Sequence, residues 1–502
     1  VPVEGEQCQF RSAFELQLLP ASTTQIRLLD PRYLPASGKH LGDVASMLII
    51  DISTSSPQLT FGQLLPGDLT FYCDGLGHAS SANSLYESLL NDCVDCWVDA
   101  GIEGEEPVRL GPRALEPLGY SDDESMLPSD PRVLSGHRLL TEHFAYPFKF
   151  RFVRVRLEAA AEFLKSSGRL IRVLVALRRE RDELRGVLTP KSLRLNCIPL
   201  VNLFGPKTAE PINANESHYE FRIVPDRHHD RGREVYDVVS LTGIDSTSKK
   251  HVLQSIFGGR RRDAQVLWAV RRAPSVPRSQ DDKEAGTDVF VSLLNANAEP
   301  AGPQDLVLHP EVLCLNRDLP SKLARGEGRP QLRTTGLGIA NDATLLFAPT
   351  RTCRPPLGSS AVWRLLSFVN LNSVALDGGR DASGEPLREM LALFNVGETQ
   401  LVRDQIESIT GVRASPISRR IERVHPVTGQ IESGLARGLE IALTINPEKC
   451  PDQGAFLLGS VLDRLFAHYV SINSFTETVV LLHEQDRVLR RWRPRAGGRA
   501  LL

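Results

Sequence analysis

Cys93 and Cys96 stand in the Cys-x-x-Cys spacing at which two thiolates grip a zinc ion or exchange a disulfide. A structural zinc site takes four ligands, usually from two such pairs. No second pair follows, and the nearest upstream histidine, His78, sits at no finger spacing. A redox pair wants a thioredoxin-like βαβ context, which the flanking pattern lacks. His228, His229 and Asp230 are ligand types in a row. Neighbours on an extended chain point to opposite faces, and Arg222, Asp226, Arg227 and Arg231 around them read as a solvated hairpin. Asp318, ahead of a short predicted helix, suits an N-cap better than a general base. The glycines at 336, 338, 378 and 379 fall in no phosphate-cradling spacing, and neither GxSxG nor HExxH occurs. The residues therefore assign no catalytic group, no cofactor and no metal. A cytosolic thiol or metal enzyme using Cys93 and Cys96 stays as an outlying alternative.

Near the C-terminus Arg487, Arg490, Arg491, Arg493, Arg495 and Arg499 alternate with Val488, Leu489 and Trp492. That spacing predicts an edge strand with an arginine face, either solvated or docked on protein, since Trp and Arg are enriched in binding hot spots. One Trp is too little aromatic interleaving for nucleic acid. The whole chain carries 59 basic and 61 acidic residues, net charge -2, with no polybasic signature. Its 502 residues predict two to four domains, and 41% hydrophobic with 24% charged residues is ordinary globular composition. Eight scattered cysteines predict a reducing compartment, with Cys197 and Cys314 as buried thiols in strands. No apolar run reaches the ~18 residues that span a membrane. The start, Val1-Pro2-Val3-Glu4, carries neither Met nor a signal peptide, which predicts a fragment or a non-standard start codon.

These residues must be carried by a β-rich body. Strand periodicity is predicted at 9–16, 44–52, 148–156 (with a bulge at Val153 and its Lys/Arg face in water), 170–177, 193–204, 219–224, 235–241, 289–294, 306–315 and 344–348. Residues 79–92 have helical spacing, and 118–136 read as a polar loop. Residues 271–287 and 321–337 are rich in Arg, Pro, Ser and Gly and read as mobile connections. Beyond Pro356 helices are predicted at 360–375, 385–395, 399–410 and 454–470, with strands at 417–424, 437–445, 474–482 and 487–492. The fold class is α+β: sandwich-like β-rich domains over residues 1–190 and 191–355, then a mixed α+β domain over 356–502.

Several segments together resemble one family. They are Leu195-Asn196-Cys197-Ile198-Pro199-Leu200-Val201-Asn202-Leu203-Phe204 with Tyr219-Glu220-Phe221-Arg222; Cys314-Leu315-Asn316-Arg317-Asp318-Leu319-Pro320; and Arg354-Pro355-Pro356-Leu357-Gly358 leading to Trp363 and Asn372. Arg437-Gly438-Leu439-Glu440 follows, then Tyr469-Val470-Ser471-Ile472-Asn473-Ser474-Phe475 with Trp492. In this order and spacing they are similar to the TssF (VasA, ImpG) family of type VI secretion, here without the helical segment that opens family members. The resemblance implies a contractile-tail, wedge-like baseplate protein of the cytoplasm and no catalytic residue. The implied partners are TssG, with two TssF copies per TssG, then TssK, TssE and the VgrG hub, with the baseplate docked at the inner-membrane complex. A wedge protein of a phage tail is the nearer alternative. Asn202, Phe204, Trp363, Phe456, Phe466, Asn473, Phe475 and Trp492 are the candidate interface or junction residues. The recurrent asparagines Asn196, Asn202, Asn316, Asn372 and Asn473 are expected to cap turns and fix junctions, because a buried amide must find partners.

Overall fold

The computed structural model describes residues 2–498 apart from 103, 131–132, 215–217, 231, 259–265, 277–285, 296, 302–304, 324–331, 334–341, 359–361, 364–365, 367–382, 425–430, 450–453, 472 and 484–486. Most of the predicted 360–375 helix, Asn372, and much of 271–287 and 321–337 lie outside the described residues. The chain forms two compact units, each from two separated stretches: Val1–Ser12 with Leu200–Val362, and Ala13–Pro199 with Trp363–Leu502. Three consecutive domains were expected. The partition differs because Arg11 and Ser12 pair as a strand with Val201 and Leu200, while the next residue, Ala13, donates its N–H to Pro199.

The first unit is built on one sheet. Its strands run in the order Phe204–Thr208, Leu306–Leu315, Glu234–Asp245, Lys250–Ser255, Leu267–Pro274, Thr287–Leu294 and Glu220–Arg222, with Ile212–Asn213 also on Leu306–Leu315. Period-two patterning makes these strands half-buried. Val289, Val291 and Leu293 alternate inward on one strand, and Leu308, Val312 and Cys314 on another, around Leu241 and Trp268. The predicted 344–348 strand is absent, and only Asp342–Ala343 is extended there, paired with Leu332–Arg333.

The second unit holds a five-stranded sheet, Ala21–Leu29, Ser46–Thr54, Leu170–Leu177, Cys93–Asp99 and Val108–Arg109, and a four-stranded one, Leu193–Arg194, Asp68–Cys73, Phe152–Arg156 and Leu115–Pro117. Ser46–Thr54 is covered on both faces, which is why it reads as an unbroken apolar run: Leu48, Ile50 and Ile52 face one core, Met47 and Ile49 the other. A third sheet joins the hairpin Ile409–Val424 and Ile431–Ile445 to Phe475–Leu482 and Arg487–Arg491. Ile431–Ile445 and Phe475–Leu482 run parallel, so a crossover must link them. The helix Ala455–Phe466 supplies it. It is apolar on nearly every side because the helix Ser135–Ala145 and the strand Phe475–Leu482 both pack on it. The core under it draws Leu139, Leu140, Leu457, Val461 and Leu465 from both stretches of the unit.

Two expectations fail because a polar side chain finds its partner outside its own segment. Phe148 to Phe150 form a 3-10 turn, Pro147–Phe150, and the strand begins only at Phe152, without a bulge. Lys149, expected in water, is fully buried against Glu142 of the helix Ser135–Ala145. Glu142 also accepts the N–H groups of Met126 and Leu127 at 3.0 and 2.9 Å, so a carboxylate pins the loop that reads as merely polar. Residues 193–204 are likewise no continuous strand. The run breaks after Arg194, where Asn196 adopts φ 58° and its amide closes on the N–H and carbonyl of Leu19 at 2.9 and 2.8 Å. Cys197 therefore lies in a loop and is half-buried.

Candidate interface

The thiol pair comes first, because only it offered chemistry. A bulge at the start of the strand Cys93–Asp99 puts Cys93 opposite Leu177 and Cys96 opposite Val175, so both sulfurs face the apolar core. Each is a weak donor to a backbone carbonyl, of Asp95 and Trp97 respectively. Burial, reinforced by the Asp95 carboxylate, pushes the Cys93 thiol up to about 12. Burial, with Cys93 and Asp95 next, raises Cys96 well above its ordinary value. The thiolate, the form that ligates metal or attacks a disulfide, is thus disfavoured at both positions. Among the described residues no group of three or more His, Cys, Asp or Glu could hold an ion. His229 turns to Glu6 at 2.9 Å while Asp230 is paired with Arg222 at 3.0 Å, so the two neighbours diverge as an extended chain requires. Asp318 is no side-chain cap. Its carboxylate accepts the Thr352 N–H at 2.9 Å and meets Arg354 at 3.1 Å.

The named interface candidates separate by burial. Phe456, Phe466, Phe475 and Trp492 face the interior of the second unit. Trp492 stacks on Phe456 with centroids 5.7 Å apart and ring planes at 19°. Phe475 lies across Gly438, where an added Cβ would come within 2.5 Å of its ring. In the first unit Asn202 and the fully buried Asn316 interlock. Asn202 accepts the Asn316 N–H at 2.7 Å, and Asn316 accepts from Asn202 Nδ2 at 2.9 Å and from the Gln9 N–H at 3.1 Å. These amides tie the N-terminal stretch to the sheet. Phe204 is half-buried against the same sheet's core. Trp363 is 69% exposed, and Asn473 is exposed rather than buried.

Sequence reasoning missed the surfaces that protrude. The hairpin Ile409–Val424 and Ile431–Ile445 is far longer than the strands expected there. The neighbouring strand pairs with it only from Gly438 onward, so residues 418–424 and 431–437 extend past the sheet as a two-stranded arm. Such a ribbon is marginal in water and offers its edges to a partner. Leu435 on this arm is 77% exposed, paired with Arg420. In the first unit Val252 is 82% exposed opposite Thr242, and the strand Lys250–Ser255 meets its parallel neighbour only at Gln254 and Ser255. The signal for both was in the apolar alternation, which continues past the positions that a core can cover.

The sequence matches the family described as "Type VI secretion system, TssF" over residues 1–499. A curated relative, type VI secretion system component TssF1 of Pseudomonas aeruginosa, is 29% identical over 515 residues, covering 99% of this chain and 80% of the relative. A TssK-TssF-TssG baseplate subcomplex solved by cryo-electron microscopy contains a chain of the same fold, with TM-score 0.71 and 21% identity over 98% of this chain and 85% of that one. A baseplate complex of the same system overlaps over 73% of this chain and 60% of the other, with TM-score 0.41 and 21% identity. Among the described residues no helix is long and apolar enough to cross a membrane. A match along virtually the whole sequence decides between a secretion-system and a phage-tail origin: this chain belongs to the TssF family of the type VI secretion system.

Proposed function

We propose that the chain is a structural subunit of the baseplate wedge, assembling with TssG and TssK in the cytoplasm and working by assembly, not catalysis. Two copies would flank one TssG, with TssE joining the wedge, six wedges around the VgrG hub and the whole docked at the inner-membrane complex. The observation that carries this reading is the family match over residues 1–499. The fold shared with a chain of a TssK-TssF-TssG assembly supports the partners. The protruding arm of residues 418–424 and 431–437 and the exposed Trp363 are surfaces of the kind an assembly consumes. The test is co-expression with TssG and TssK from the same gene cluster, followed by affinity purification and native mass measurement. A stable complex with two copies of this chain per TssG is expected. A chain that purifies alone under all conditions, with its melting transition intact, would sink the proposal.

A further inference from the structure

Strand alternation divides the C-terminal arginines into two sets. Arg491 lies opposite Val479 and is consumed by Glu440 and Glu477, while Arg495 is consumed by Asp463 at 2.9 Å. Arg487 and Arg490 lie opposite Leu482 and Val480, on the other face, because a bulge at Leu489 shifts the register between them. Asn91 fixes that bulge, donating to the Leu489 carbonyl at 3.0 Å and accepting from Arg490 at 3.1 Å.

Arg487 there meets the end of the strand Leu170–Leu177. Together with Arg178, Arg179, Glu180, Arg181 and Glu183 it lines a cleft of about 400 Å³. The carboxylates in this cleft are already taken. Glu180 is ion-paired with Arg185, and Arg181 reaches Glu87, Asp92 and, at 3.5 Å, Glu183. Arg179 stands 3.6 Å from Asp92. Arg178 and Arg487 are exposed and make no ion pair among the described residues. Burial holds Arg179 and Arg490 below their ordinary values. At Arg179 the Asp92 carboxylate opposes that shift and the cations Arg487 and Arg181 add to it; at Arg490 the cations Arg493 and Arg178 add to it and Asp92 opposes it. The site is thus a concave set of guanidinium groups in which Arg179 and Arg181 share Asp92, while Arg178 and Arg487 have no carboxylate of their own among the described residues.

We propose that this cleft docks an acidic segment of a partner protein, its Asp and Glu carboxylates received by Arg178, Arg179 and Arg487. Planar guanidinium forks take carboxylates two hydrogen bonds at a time, and Arg178 and Arg487, without an ion pair among the described residues, leave their donors available beside Arg179. A protein partner fits better than nucleic acid. No aromatic ring lines the cleft for bases to stack on. The proposal deepens the scaffold reading and rests on it only in taking the partner to be a protein.

The test uses the full chain and fluorescence anisotropy with a short labelled peptide of alternating Asp and Glu. Its Asn/Gln counterpart and an oligodeoxythymidine of matched charge serve as comparison probes. Expected is salt-sensitive binding of the acidic peptide, weakened about tenfold in R178E/R487E and unchanged in R413E, an exposed arginine of the long hairpin. If the double variant melts early, R487Q alone carries the test and must lose about threefold. Equal binding of the Asn/Gln peptide, tighter binding of the oligodeoxythymidine, or undiminished affinity in the variants would overturn the proposal. A chain that assembles with TssG yet ignores the acidic peptide loses the cleft alone. One that binds the peptide yet ignores TssG loses the scaffold reading alone.

Discussion

Glu142 and Lys149 are buried side by side, and each makes the other tolerable. Burial lowers the Lys149 pKa, and the Glu142 charge works against that shift. Glu142→Ala would leave a cation in the interior and release the loop at Met126 and Leu127, a loss of about 3–5 kcal/mol against a native stability of roughly 5–15. Urea unfolding should show that loss, and Glu142→Ala/Lys149→Met should recover part of it. A single variant as stable as the parent would refute this account. His143 gives a second prediction. It is buried between Phe144 and Phe150 with Gln405 at 3.1 Å. Burial, opposed by the Gln405 contact and aided by Arg151, lowers its pKa from 6.5 to about 4. The unfolded chain then binds a proton that the native site refuses. Stability is full above pH 6.5 and falls as pH drops toward 4, by on the order of 3 kcal/mol. Burial lowers His137 and His468 too, in the same direction. In His143→Gln the acid slope should flatten in melting curves recorded across that window. An unchanged slope would place the proton uptake elsewhere.

Close approach of elements depends on two helical glycines. A Cβ at Gly459 would stand 2.7 Å from Trp492 and 2.8 Å from Val480, where the helix Ala455–Phe466 meets its sheet. A Cβ at Gly136 would stand 2.9 Å from the Leu465 Cα, backbone that cannot swing aside. Alanine in a helix interior ordinarily gains about 1 kcal/mol over glycine. Here overpacking should win, and Gly136→Ala and Gly459→Ala should each cost about 1–3 kcal/mol by thermal melting. Gly434, with open space around it on the arm, is the control and should be neutral as Ala. Were all three neutral, the packing of these helices would be looser than described. The elements themselves were largely readable. The helix Ala455–Phe466 and the strands Leu170–Leu177 and Leu306–Leu315 stand where periodicity puts them, because one covered face or a fully covered run writes its period into the sequence. The 3-10 turn Pro147–Phe150 was misread because alternating Phe and Lys mimics a strand, and only a buried carboxylate on another helix says otherwise.

At the scale of the whole molecule the chain passes between its units after Ser12, Pro199 and Val362. The second unit's core is shared by two stretches separated by residues 200–362, so neither stretch can close it alone. A fragment of residues 1–362 lacks the helix that covers Leu139 and Leu140. It should bind a hydrophobic dye and show no cooperative melting of the second unit. A native-like cooperative transition for that fragment would count against the interleaved core.

The sequence by itself determined the class of the protein and most of its framework. Family-like segments in order, an α+β pattern and the want of any catalytic constellation were enough to point to a TssF-like scaffold, because apolar period and turn chemistry are local properties. Tertiary structure alone decided which separated stretches share a core, where Lys149 finds its anion, and that Phe456 and Trp492 stack inside. It also decided that Arg491 is spent internally while Arg487 is not. Each of these turns on which residues distant in sequence become neighbours. The energy of burying a ring or a charge is set by that neighbour, and no local pattern records it.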